Sequence, residues 1–118
     1  MIIGTGIDIV ELNRIKQLLA SQPRFSRKIL TVKEQACFND LPSDKRKLEF
    51  VAGRFAAKEA FAKAYGTGIG KLAFRDIEIL PNPYGQPIIN VHGLEHYRFF
   101  VSISHSDHYA VAQVIIEQ

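Results

Sequence analysis

Two carboxylates stand in settings that carboxylates ordinarily avoid. Asp8 closes the glycine-faced run GTGID, and aspartate is depleted in strands. Glu59 lies in GRFAAKEAFAKAYGTGIG, a helical stretch of alanines and aromatics in which Lys58 and Lys63 are its charged neighbours. Each has an ordinary explanation. Asp8 and Glu11 have the spacing of a capping box for the helix that follows. Glu59 and Lys63 have the favourable i, i+4 order, worth about 0.2–0.5 kcal/mol. The other reading is that the two acids share a hard cation. Magnesium typically takes one or two protein carboxylates, with waters and phosphate oxygens completing its shell. Without such an ion, close like charges would push one carboxylate towards protonation. An acid among small residues also leaves room for a bulky ligand.

Other candidates are weaker alone. Gly66-Thr67-Gly68-Ile69-Gly70 follows its helix, whereas the glycines of a P-loop precede one and end in Gly-Lys-Ser/Thr. It reads as a helix stop whose backbone N–H groups could also cradle an anion. His105 stands where the strand VSIS meets a turn, and either donates to a phosphate there or has no role. His92, His96 and His108 show no metal-ligand spacing, and no Ser–His–Asp arrangement is legible. Cys37 is the only cysteine, which excludes an intrachain disulfide and a multi-thiolate metal site and suits the reducing cytosol. Arg14, Lys16, Arg24, Arg27, Lys28 and Lys33 follow one another with no acid between Arg14 and Lys33. That run is either a solvated helix face or a surface for an acidic partner or polyphosphate.

The elements that must position these residues follow from periodicity. Residues 1–9 predict a strand with Ile3, Ile7 and Ile9 on one face and Gly4, Gly6 and Asp8 on the other. Glycines on one strand face let a backbone or ligand come close. Leu12, Ile15, Leu18 and Leu19 then predict a helix ended by Ser21-Gln22-Pro23. Thr31 and Glu34 form a capping-box pattern opening a short helix through Phe38. A long helix should cover residues 43–65, enclosed by protein because apolar residues lie on nearly every side. Its strip Ala52, Ala56, Glu59 and Lys63 points away from Phe61, while Arg54, Lys58 and Tyr65 share another strip. Strands are expected at 74–80, 88–91, 99–104 and 109–116. The layout is α+β, with an amino-terminal strand and helices packed on an antiparallel sheet. At 118 residues with 47% hydrophobic content, one domain spanning 1–118 with one modest core is expected. No apolar run approaches the roughly 20 residues that span a bilayer, and MIIGTGIDIVEL lacks the basic leader of a signal peptide.

Taken together, GTGIDIVELNRI, EFVAGRFAAKEAFAKAYGTGIGK and VSISHSDHYAVAQVII resemble the holo-acyl-carrier-protein synthase family of phosphopantetheinyl transferases, in order and spacing and over the whole chain. The resemblance implies a 4′-phosphopantetheinyl transferase-like fold and a cytoplasmic enzyme of fatty acid biosynthesis. Its reaction would move 4′-phosphopantetheine from coenzyme A to a serine of apo-acyl carrier protein, releasing adenosine 3′,5′-bisphosphate. It implies Asp8 and Glu59 as ligands of Mg2+, with Glu59 and Lys63 catalytic. Lys63, Gly66, Thr67, Gly68 and His105 match coenzyme A phosphate positions, with Arg46 and Arg54 added to that site. Arg14, Arg24, Phe25 and Lys28 match the surface that receives the acidic carrier protein. Ser21 and Lys28 stand where some relatives have arginine, which bears on carrier preference. A homotrimer with sites between subunits is implied as well. The rival classes are a non-catalytic module that holds an acidic protein and, more weakly, a nucleic-acid binder. The latter lacks the interleaved aromatic and basic residues of a stacking platform. Neither accounts for Asp8 and Glu59 together.

Overall fold

A computed structural model describes residues 1–66 and 72–118. The amino-terminal strand β1 (Ile2–Glu11) runs two residues further than its sequence pattern suggests and leads directly into α1 (Leu12–Ser21). Asp8 is therefore a mid-ladder residue opposite Ala112, and α1 has no side-chain cap at its start. The capping reading of Asp8 fails because the strand has not ended where Asp8 stands.

Two helices follow. Phe25 and Ile29, both buried, anchor the five-residue α2 (Phe25–Ile29), an element too short to show a period. The expected capping box opens α3 (Val32–Asn39): Glu34 N–H donates to Thr31 Oγ1, and Thr31 N–H donates to Glu34 Oε1. Next comes α4 (Asp44–Tyr65), capped by Ser43, whose hydroxyl accepts from Arg46 N–H at 3.2 Å. Gly66 stops it in the left-handed conformation, φ 87°, where a β-carbon would be strained. Most of the middle of α4 is buried, from Val51 to Ala64, as its all-round apolar sequence requires.

The expected strand at 74–80 begins later. Asp76 accepts from Ala73 N–H and closes a short 3₁₀ turn, Phe74–Asp76, ahead of β2 (Ile77–Pro81). Asn82 Oδ1 accepts from the N–H groups of Tyr84 and Gln86 and folds the chain back into β3 (Pro87–Val91). The remaining strands are β4 (Arg98–His105) and β5 (Tyr109–Glu117). Among the described residues all pairings are antiparallel, in a three-stranded sheet of order β1-β5-β4 and a two-stranded β2-β3 ribbon. α4 lies across the sheet on the buried side chains Ala110, Ala112, Val114 and Ile116 of β5. The outer sheet face keeps Ile3, Ile7, Ile9 and Phe100 exposed. Among the described residues, no helix is long and apolar enough to cross a membrane.

One ion pair inside this frame was invisible to local patterning. Lys58 and Glu34 are both fully buried and bonded to each other. Lys58 Nζ also donates to Ile29 O at 2.7 Å, and Glu34 Oε2 accepts from Ile79 N–H at 2.8 Å. The capping glutamate of α3 thereby ties α2, α3, α4 and β2 together. Burial pushes the Lys58 pKa down and Glu34 opposes that shift. Breaking such a pair from one side typically costs about 3–5 kcal/mol.

Candidate functional site

Period-two alternation places Asp8 on the inner face of β1 with Gly4 and Gly6, towards α4. Its carboxylate is 18% exposed and accepts from Lys63 Nζ at 3.1 Å. The same ammonium donates to Ile7 O at 2.9 Å. Lys63 thus pairs with the distant Asp8 rather than with Glu59, its neighbour one turn back. Backbone geometry decides this, since the edge of β1 runs alongside the final turns of α4. Glu59 is left with a pKa above the ordinary carboxylate range. Partial burial is the main cause and the charge of Asp8 the second, with Lys63 and Arg14 pulling the other way. The two acids therefore share one electrostatic neighbourhood, with one lysine between them and an arginine of α1 in reach. Among the described residues, no group of three or more His, Cys, Asp or Glu side chains could hold a metal ion. Asp8 and Glu59 are the two carboxylates of this neighbourhood.

A second cluster forms at the other edge of the sheet. Arg46, Glu49, Phe50, Gly53 and Arg54 recur at helical spacing along α4 and line a cavity of about 290 Å³ with His105 at the end of β4. The Arg54 guanidinium lies 4.2 Å from the centre of the Phe50 ring, and its Nε donates to Ile79 O at 3.3 Å. Burial lowers the Arg54 pKa, opposed by Glu34. His105 Nδ1 faces Glu49 Oε2 at 3.2 Å. Glu49 and Phe50 escaped the sequence reading, although the stripe they share with Arg46 and Arg54 was there to be seen.

The sequence candidates therefore fall into two groups within one chain. Asp8, Glu59 and Lys63 come together, as do Arg46, Arg54 and His105. Strand β5 separates the two groups, because Asp8 and His105 lie on the opposite edge strands. Gly66 ends the helix just beyond Lys63, but its N–H is spent on Ala62 O at 3.0 Å and is not free for an anion. Thr67 and Gly68 lie outside the described residues. Arg14, Arg24 and Lys28 are exposed, as a docking surface needs. Phe25 is not, being 7% exposed with its ring centroid 6.3 Å from that of Phe55. The expected aromatic contact for a carrier protein is thus a core residue that braces α2 from below. Its i, i+4 partner Ile29 was the signal for that burial.

This arrangement, a helix pressed on a short antiparallel sheet with an acidic pair at one edge and a basic cavity at the other, defines a class. The model of the 4′-phosphopantetheinyl transferase superfamily matches residues 4–114. The chain belongs to that superfamily and to its holo-[acyl-carrier-protein] synthase family of transferases. A holo-[acyl-carrier-protein] synthase of Anoxybacillus flavithermus is 59% identical, over 100% of this chain and 98% of its own length. One of Oceanobacillus iheyensis is 56% identical, over 99% and 98%. The crystal structure of a Bacillus anthracis holo-(acyl-carrier-protein) synthase in complex with CoA (3′,5′-ADP) superposes with a TM-score of 0.91 at 49% identity, covering 100% of this chain and 98% of that one.

Proposed function

We propose that the enzyme transfers 4′-phosphopantetheine from coenzyme A to a serine of apo-acyl carrier protein, in a Mg2+-dependent reaction that releases adenosine 3′,5′-bisphosphate. The observation that carries the reading is the apposition of Asp8 and Glu59 beside Lys63. Two hard oxygen donors, one of them a carboxyl held above its ordinary pKa by burial and then by the Asp8 charge, suit a divalent cation. Asp8 and Glu59 would hold the Mg2+, which when bound neutralises pyrophosphate oxygens as charge builds in the transfer.

The chain's own groups supply the rest. The carrier serine oxygen bonds to the phosphorus that bears pantetheine, and the bond from that phosphorus to the bridging oxygen breaks. Lys63, half exposed beside Asp8, stabilises the charge left on the departing nucleotide. Glu59, directly or through a water, is the candidate acceptor of the serine proton. Arg46, Arg54 and His105 hold coenzyme A phosphates in the basic cavity, and the family resemblance adds Thr67 and Gly68. Arg14, Arg24 and Lys28 receive the acidic carrier and align its serine, which accounts for much of the remaining rate gain. The position of the two clusters on opposite edges, and the exposed Ile3, Ile7, Ile9 and Phe100 between them, support a homotrimer in which neighbouring copies complete each site. The lone cysteine fits a cytoplasmic setting.

The reaction is tested by incubating the enzyme with coenzyme A, Mg2+ and apo-acyl carrier protein and weighing the carrier. The expected result is a carrier heavier by one phosphopantetheine, with adenosine 3′,5′-bisphosphate in equal amount. An unmodified carrier would refute the reading.

A further inference from the structure

The approach of α4 to β1 is closer than side chains permit. A β-carbon at Gly6 would strike the Ala60 carbonyl oxygen and lie 2.8 Å from the Ala64 nitrogen. At Gly4 it would strike the Ala64 carbonyl, whose carbon is 2.9 Å away. These obstacles are helix backbone, so no rotamer change relieves them. Asp8 is the next residue on that strand face, and Glu59 immediately precedes Ala60. On the far side of Glu59, Lys58 is buried on Glu34 and Ile29 O, which fixes the roll of the helix.

We propose that Gly4 and Gly6 are positioning residues of the carboxylate pair: they set the gap between α4 and β1 at which Asp8 and Glu59 can share one divalent ion. This deepens the two-carboxylate reading and rests on it. Gly6→Ala would drive α4 outwards by about 1 Å or more to recover an ordinary carbon–oxygen contact. Asp8→Glu lengthens the opposing side chain by one carbon–carbon bond of about 1.5 Å. Each change alone misplaces one carboxylate, and together they compensate.

The test is Mn2+ binding to the full chain, followed by the electron paramagnetic resonance of the free ion, with carrier-protein binding measured alongside. Gly6→Ala and Asp8→Glu are each expected to weaken Mn2+ binding about tenfold or more. The double variant should return to within about threefold of wild type, with carrier binding unchanged throughout. A general loosening of the fold would give no such rescue. Additive losses in the double variant would overturn the proposal. Should Gly6→Ala fail to fold, Asp8→Glu alone decides, because wild-type Mn2+ affinity in that variant would show that the gap is not tuned. Failure of the wild-type chain to bind Mn2+ at all would instead remove the two-carboxylate site, and the proposal with it.

Discussion

At the β1 edge of the sheet, Asp8 and Glu59 face a single lysine, and Glu59 keeps a raised pKa. At the β4 edge, His105 has Glu49, and Arg54 has the Ile79 carbonyl and the face of Phe50. In the first cluster burial and the Asp8 charge outweigh Lys63 and Arg14 at Glu59. In the second, the Arg54 guanidinium is already oriented, with Glu49 the only acid among the described cavity residues. The difference separates two tasks. The acidic edge suits a cation and the bond-changing step, while the preorganised basic edge suits anchoring of an anionic ligand. Loss of the first should appear in kcat and loss of the second in KM.

The sharpest break should come at Lys63. Lys63→Met removes the ammonium beside Asp8 that is proposed to stabilise the departing charge and is expected to lower kcat about 100-fold, with a much smaller change in the KM for coenzyme A. Steady-state kinetics checks it, and an equal fall in both parameters would blur the comparison. Arg54→Ala should do the reverse, raising the KM for coenzyme A about tenfold or more while kcat falls less, in keeping with the loss of one charge-assisted hydrogen bond.

A smaller effect concerns pH in the absence of metal. The folded pKa of Glu59 lies above its ordinary value of 4.5, so the folded chain holds a proton there that the unfolded chain gives up. That contribution to stability is fully present below 4.5 and is lost as pH rises through the raised value. Urea unfolding with chelator across this window should show it, and Glu59→Gln should flatten the slope. Smallest is the change at Arg14, the α1 residue whose charge reaches Glu59. Arg14→Glu should weaken carrier binding a few-fold at low salt, and less at high salt. A salt-independent titration would remove α1 from the carrier surface.

What was legible in the sequence was mostly local. The Thr31–Glu34 box and Gly66 mark helix ends within four residues of what they cap and behave as read, while Ser43, expected as the first helical residue, is the cap one residue before α4. The alternation that put Gly4, Gly6 and Asp8 on one face of β1 held because one face of the strand packs on α4. The losses were nonlocal or short. Lys63 chooses Asp8, 55 residues away, over Glu59, and no helical wheel contains that choice. Glu34 pairs with Lys58 at a separation of 24 residues, so its buried half could not be read from a capping motif. α2 is five residues long, and with it went the burial of Phe25. The division of the site between two sheet edges depends on strand order, which places the first strand beside the last.

In the proposed reaction Asp8 and Glu59 act as a pair in a cation-dependent transfer. Its most direct test is the mass of apo-acyl carrier protein after incubation with coenzyme A, Mg2+ and each of Asp8→Asn, Glu59→Gln and the wild type. Full conversion by the wild type and background conversion by both variants are expected, each still folded with a cooperative thermal transition. Full conversion by either folded variant would contradict that pairing.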